Sequence, residues 1–403
     1  MRALALAITL AACAHEPPDH SSSLEFTKPG AKPDASGAAT DDPEAGDRVD
    51  PSDPVILLSE GGKADVTRIE LGSMGFGSDG LGPVRAFTVP ADVASVTVVL
   101  TGGPSGIYAL DTLGPDVGPA LVPAGWFLSD PSGTCTKACL ARTMASEEAH
   151  ALTVPNAPGV AITPGPWSVR WLGLPVSGTK VPMGTAHALV KHAETPKGRI
   201  DVHFHLTGAG DLYARDAHGI TFGGLVQALS IKLVSGGVAL GTVTVDDIDP
   251  RFADIETLSG EGSDLAEMFA TSAAHGGSGV HVYLVNSLWA SASSGGGFIA
   301  GISGGIPGPP GVAGTGRSGV AVLVDPALSL SLIGVVAAHE IGHFLGLYHS
   351  TEMDGSGDAL DDTKTGDTTN LMHWAAVDGD QRLSSSQGQA LRWSPVVRKP
   401  APP

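Results

Sequence analysis

Cysteine is scarce in this chain, with 3 among 403 residues, at positions 13, 135 and 139. A disulfide-dense scaffold is therefore excluded. Basic residues are also few: 23 Lys and Arg stand against 42 Asp and Glu, a net charge of −19, and no Lys/Arg cluster breaks the acidity. Nucleic acid and anionic membrane surfaces are poor partners for such a chain, because neutralising phosphate needs local positive charge. The acidity serves solubility and favours basic substrates. The N-terminal apolar run, Ala3 to Ala12, is too short to cross a bilayer, which takes ~20 residues. Residues 14–54 lack bulky apolar side chains and are rich in Pro, Asp, Ser, Gly and Ala. Such a stretch cannot bury enough surface to offset its chain entropy, so it reads as a disordered tether or a propeptide.

What is present begins at the N-terminus. Met1-Arg2 followed by the short apolar run is an export signal rather than a membrane span. Leu10-Ala11-Ala12-Cys13 resembles a bacterial lipobox, which implies cleavage before Cys13, lipidation of its thiol and residence outside the cytoplasm, anchored to the envelope by lipid alone. An oxidising compartment then suits a small disulfide loop at Cys135 and Cys139; a thiol that plugs a metal site is the alternative reading.

Between residues 55 and 190 short β-rich runs recur, among them Val55 to Ser59, Arg85 to Val89, Ser95 to Leu100, Ile107 to Leu110, Ala151 to Val154 and Trp167 to Leu172. Gly- and Pro-rich turns separate them, and the whole chain holds 55 Gly and 30 Pro. That pattern predicts an all-β sandwich, with Trp126, Trp167 and Trp171 in its core or at its rim. Residues 191–199 are polar and read as a linker. From there the pattern mixes β and α. Ile200 to Leu206 alternates as a half-buried strand, placing His203 and His205 on its polar face. Ile220 to Val234 and Asp264 to Ser272 read as helices; Val238 to Ile248, Val280 to Val285, Phe298 to Ile302 and Gly319 to Asp325 read as strands. The predicted class is α+β, with the all-β unit first.

The densest chemistry lies in His339-Glu340-Ile341-Gly342-His343-Phe344-Leu345-Gly346-Leu347-Tyr348-His349. On a helix, His339 and His343 lie on one face a turn apart and can share one Zn²⁺. Glu340 sits beside them, where a general base belongs. His349 would be ~15 Å along the axis from His339 if the helix continued. The chain must turn first, and Gly346 tolerates the left-handed backbone that a turn requires. A bare His-Glu-x-x-His arises by chance, but the apolar run Leu330 to Ala338 and the offsets of Gly346 and His349 argue against coincidence here.

This segment resembles the active-site helix of metzincin metallopeptidases, whose motif leads to a methionine turn. Asn370-Leu371-Met372-His373-Trp374 matches that turn, implying that Met372 shapes the floor beneath the histidines; a core methionine is its plainer reading. Gly342 to His349, Asp358-Ala359-Leu360-Asp361-Asp362-Thr363, Asn370-Leu371-Met372 and the terminal Leu383 to Gln387 with Arg392 to Pro395 resemble the pappalysin-like group. Gly-His-x-Leu-Gly-Leu-x-His-Ser is shared with matrixins. Lys364 stands where the group carries Pro, and its stapling cysteines are missing.

The resemblance covers residues 197–403 and implies a metzincin-type catalytic unit: a mixed twisted sheet plus the active-site helix. It also implies zinc on His339, His343 and His349, a protein or peptide substrate, and an edge strand near 298–302 that pairs with the substrate. The Pro/Gly loop at 306–311 would form the cleft rim. His373 is either a hydrogen-bond donor to the reaction intermediate or an exposed bystander. Clustered carboxylates at Asp354, Asp358, Asp361 and Asp362 suit either Ca²⁺ or a solvated acidic loop. Two functions stay open: an extracytoplasmic zinc endopeptidase, which residues 14–190 could hold latent, or a surface-anchored binding lipoprotein that keeps the catalytic fold.

Overall fold

The computed structural model describes residues 65–400, except 130–133, 136–138, 158, 177–179, 209–218, 277, 291–296, 326 and 353–354. Cys13 and the run read as an export signal, the segment 14–54, the run from Val55 to Ser59 and Asp354 lie outside the described residues.

The first part of the chain forms two antiparallel sheets. Its elements are β1 (Val66–Met74), β2 (Arg85–Val89), β3 (Val93–Thr101) and β4 (Gly106–Pro115). A single turn α1 (Trp126–Ser129) follows, then a ribbon of β5 (Thr134–Cys135) with β6 (Thr143–Met144). The set ends with β7 (Ser146–Glu147), β8 (Ala149–Val154), β9 (Gly165–Pro175) and β10 (Gly184–His192). Strand order is β1-β10-β3-β8 in one sheet and β2-β9-β4-β7 in the other. Period-2 alternation explains their packing: Val96, Val98 and Leu100 of β3 point inward to meet Leu110, Trp167, Val169 and Trp171 of the facing sheet. Trp126, Trp167 and Trp171 are all buried in this core.

The alternate positions Ser95 and Thr97 are buried too, because the second half of the chain covers that outer face. Ser95 donates to the Trp393 carbonyl at 2.6 Å. The ammonium of Lys191, fully buried, donates to the carbonyls of Arg392, Ser394 and Val397. The segment read from its polarity as a linker is thus partly an interface, since Lys191 finds its acceptors in a distant stretch of chain.

The second half contains β11 (Gly198–Leu206), α2 (Gly219–Ser235), β12 (Val238–Asp247), β13 (Asp254–Ile255), α3 (Asp264–Ala270), β14 (Val280–Val285) and β15 (Ser287–Ala290). It continues through β16 (Gly297–Phe298), β17 (Gly301–Ser303), β18 (Val320–Leu323), α4 (Leu330–Phe344) and α5 (Ser385–Trp393). Its main sheet has the order β12-β11-β14-β18-β17, with β17 antiparallel to β18 and the other pairs parallel. The fold is mixed α+β.

Ile200, Val202, Phe204 and Leu206 of β11 pack on one face of this sheet against Leu225, Leu229 and Leu233 of α2 and Ile333, Ala337 and Ile341 of α4. The two helices touch at Gly334, where a Cβ would lie 2.5 Å from the Ala228 methyl. That close approach is why the glycine stands inside an otherwise apolar helix. Ser329 caps α4 by accepting from Leu332 N, and Ser384 with Gln387 forms a reciprocal capping box on α5.

One expectation near the edge changes. The run 298–302 is not one strand: Phe298 pairs with Trp289 of β15 in a small separate sheet, whereas Gly301–Ser303 forms the edge of the main sheet. The loop 306–311 is buried except at Gly311. Gly308 lets the Phe344 ring lie on its backbone, since a Cβ there would meet that ring at 2.2 Å.

Candidate metal centre

Helix α4 carries His339, Glu340 and His343, and all three are fully buried. After Phe344 the helix stops: Leu345 N bonds back to Ile341 O and Gly346 N to His343 O, with Gly346 at φ 110°. Leu347 N then bonds to Gly342 O. The turn returns His349 to the first two histidines. The ring centroids of His339 and His343 lie 4.6 Å apart, those of His339 and His349 5.2 Å, and those of His343 and His349 4.7 Å. The three rings offer ligand atoms that all fall within 4.8 Å of one another, so the cluster can hold a metal ion.

Hydrogen bonding sets which nitrogens face inward. His339 Nδ1–H donates to the Leu371 carbonyl at 2.8 Å, and His343 Nδ1–H to the Leu347 carbonyl at 2.7 Å. His349 Nδ1–H donates to Glu352 Oε2 at 2.7 Å. With Nδ1 the donor in each ring, the three Nε2 atoms are the ones left to act as metal ligands. His343 Nε2 and His349 Nε2 lie 3.1 Å apart, and His339 Nε2 is buried with no hydrogen-bond partner. Tetrahedral Zn²⁺ with bonds of 2.0–2.1 Å sets its nitrogens about 3.3 Å apart. A cation among them is what such converging nitrogens fit.

Burial keeps His339 and His343 neutral: it pulls His339 down to about 3 and His343 well below the ordinary histidine range. It pushes Glu340 well above the usual carboxylate range. Both Glu340 oxygens are buried without a hydrogen-bond partner. The carboxylate lies under the edge strand, where a Cβ on Gly301 would fall 2.6 Å from Glu340 Cγ and 2.8 Å from Oε1.

Met372 is fully buried beneath the helix, its sulfur 2.7 Å from where a Cβ on Gly342 would be. Gly342 therefore makes room for the thioether. Asn370 Oδ1 accepts from Met372 N at 2.8 Å and its amide pairs with buried Gln387, which fixes the turn to α5. The carbonyl of Leu371 serves His339, so the turn that holds Met372 also orients a ring. His373 is 6% exposed, so it is not the exposed residue that one reading expected; its Nδ1 accepts from Ala375 N at 3.1 Å.

Two further residues join the site that motif spacing did not single out. Glu352 accepts from His349, and Arg142, just before β6, pairs with the other oxygen at 3.3 Å. The Arg142 guanidinium also lies 3.9 Å over the Tyr348 ring. Burial alone would raise Glu352, but the hydrogen bond and charge of His349, with Arg142, hold it below the ordinary range.

Asp358 Oδ1 accepts from Leu360 N at 3.0 Å and from the Thr363 hydroxyl, and Asp362 accepts from Ser384 Oγ at 2.8 Å and Ser386 N at 2.9 Å. These two carboxylates shape a turn and the start of α5, while Asp358 Oδ2 is buried without a hydrogen-bond partner. Cys135 and Cys139 form a disulfide with a Cα–Cα separation of 5.7 Å, which leaves neither thiol to plug the metal site.

No family model and no curated protein matches the chain. Among solved structures it is similar to metalloproteinase-II from Bacteroides fragilis, at 16% identity and a TM-score of 0.32. The match covers 53% of this chain and spans 63% of the length of that one.

Proposed function

We propose that the protein is an extracytoplasmic zinc endopeptidase of metzincin type, with residues 197–403 as its catalytic unit. The observation that carries this reading is the convergence of three Nε2 atoms, each fixed by its own Nδ1 hydrogen bond, beside a buried carboxylate that has no protein partner. A purely structural metal site has no use for Glu340. Zn²⁺ held by His339, His343 and His349 would supply Lewis acidity, lowering the pKa of a water and polarising the scissile carbonyl.

The remaining chemistry belongs to the chain. Burial raises the proton affinity of Glu340, so it can take the proton of the attacking water and deliver it to the leaving amine. The edge strand β17 offers unpaired backbone to an extended peptide directly above that carboxylate. Gly301 supplies the clearance, because any side chain there would occupy the space of Glu340. Export and lipid anchoring through Cys13 complete the proposal and place the site outside the cytoplasm.

The test is Glu340→Ala in the full-length protein. Zinc content stays at the wild-type level, while chelator-sensitive cleavage of an unfolded protein substrate drops by roughly 100-fold or more. Unchanged cleavage would refute the mechanism. A wild-type protein that carries zinc at full occupancy yet cleaves nothing would turn the assignment towards a binding lipoprotein.

A further inference from the structure

A second cluster of ligand-type side chains lies on the opposite face of the main sheet from α4. His205 of β11 is fully buried there, against the Tyr283 ring at a centroid distance of 4.4 Å. Asp246 of β12 approaches from one side, with Oδ2 at 3.1 Å from His205 Nδ1. His275, in the connection before β14, brings Nε2 to 3.3 Å from the same oxygen. These three residues offer ligand atoms that all lie within 4.8 Å of one another.

The hydrogen-bond chain behind them orients the His205 ring towards the cluster. His281 Nε2 lies 2.9 Å from the Gly276 carbonyl, which can only accept, so that nitrogen carries the proton. In a neutral His281 the Nδ1 is then an acceptor, and it takes its hydrogen bond from His205 Nε2–H at 2.8 Å. The remaining nitrogen of a neutral His205, Nδ1, therefore presents a lone pair to the Asp246 carboxylate at 3.1 Å. That geometry leaves a place between the nitrogen and the carboxylate oxygen for a proton or a metal ion.

We propose that His205 Nδ1, Asp246 Oδ2 and His275 Nε2 form a second divalent-metal site, suited to Zn²⁺ or a similar borderline ion. Two imidazoles and one carboxylate are a zinc donor set, and the separations of 3.1 and 3.3 Å from the two rings to Asp246 Oδ2 are close to tetrahedral ligand spacing. The His205–His281–Gly276 chain is the outer-shell arrangement that fixes a ligating imidazole in one tautomer. Asp246 and His275 are 29% and 31% exposed, so ions can enter and water can fill the remaining position. The site ties β11, β12 and the segment leading to β14 together. Its role is structural, and it does not depend on the peptidase reading.

The test is metal stoichiometry on the full-length protein. Chelator-stripped protein is titrated with Zn²⁺, and bound metal is measured directly, with Co²⁺ absorption as a second readout. Wild type is expected to bind 2 equivalents, His343→Ala 1, His275→Ala 1, and the double variant none, in line with three-residue donor sets at both places. Asp246→Asn, close to isosteric, is expected to lose the same equivalent as His275→Ala, which guards against a folding artefact. One equivalent in wild type, lost in His343→Ala, would overturn the second site. Two equivalents retained by His275→Ala would do the same. One equivalent lost in His275→Ala but kept in His343→Ala would uphold this site and sink the peptidase centre instead.

Discussion

Glu352 Oε2 lies 2.7 Å from His349 Nδ1, and this contact reaches the third histidine from outside the motif. A carboxylate on the far nitrogen of a ligating imidazole fixes its tautomer and raises its basicity. Glu352→Gln is therefore expected to lower zinc affinity by roughly 10- to 100-fold, the range for such partners. A competition titration against a chelator measures it. Affinity equal to wild type would mean that the contact orients nothing.

Arg142 holds the other Glu352 oxygen from the β-sandwich half of the chain. Arg142→Ala should weaken zinc binding less than Glu352→Gln, since it acts through the carboxylate and its ion pair is partly exposed. The ordering of the two variants in one titration is the check. A larger loss from Arg142→Ala would assign the guanidinium a direct role in the site.

Gly301 and Glu340 are too close for any side chain to separate them. Gly301→Val should abolish peptide cleavage while leaving zinc stoichiometry intact, because the branched side chain would enter the space of the carboxylate. Metal analysis alongside activity separates that outcome from unfolding. Retained cleavage would show that the strand is farther from the chemistry than the geometry indicates.

Met372 fills the space that Gly342 leaves open. Met372→Ala is expected to cost about 2–5 kcal/mol, the range for truncating a fully buried methionine. Gly342→Ala should destabilise as well, because its methyl would press on the sulfur. Urea unfolding of both variants tests the pair. In the double variant part of the Gly342→Ala penalty should vanish, since the clash no longer exists.

Acid should weaken the sandwich. Burial lowers His150 to about 4, and burial with the Arg68 charge lowers His187 to about 3. Their folded-state pKa values lie below the ordinary 6.5, so the unfolded chain binds more protons in that interval. Stability therefore rises with pH between about 4 and 6.5 and falls as the pH drops through that window. For His150 the effect is on the order of 3 kcal/mol. His150→Gln should flatten the slope of Tm against pH in that range; an unchanged slope would refute the assignment.

The limits of reading this chain are visible in particular residues. His205 sits on the face of β11 that alternation assigns to polar positions, yet it is fully buried, because Asp246, His275 and His281 close over it from segments 41 to 76 positions away. Lys191 looks like a linker residue until the carbonyls of Arg392, Ser394 and Val397 surround it. Polarity predicts solvent only when nothing distant offers a partner.

The order of residues alone determined the helix that carries His339 and His343, the break at Gly346 and the return of His349, since helical periodicity and a glycine's backbone freedom are local properties. It also set the sandwich strands, through alternation and turn residues. Tertiary structure decided what completes each site: Glu352 and Arg142 behind His349, Gly301 over Glu340, and the histidines gathered around Asp246. Those contacts join residues far apart in sequence, and a side chain's spacing along the chain carries no record of which distant group it will meet.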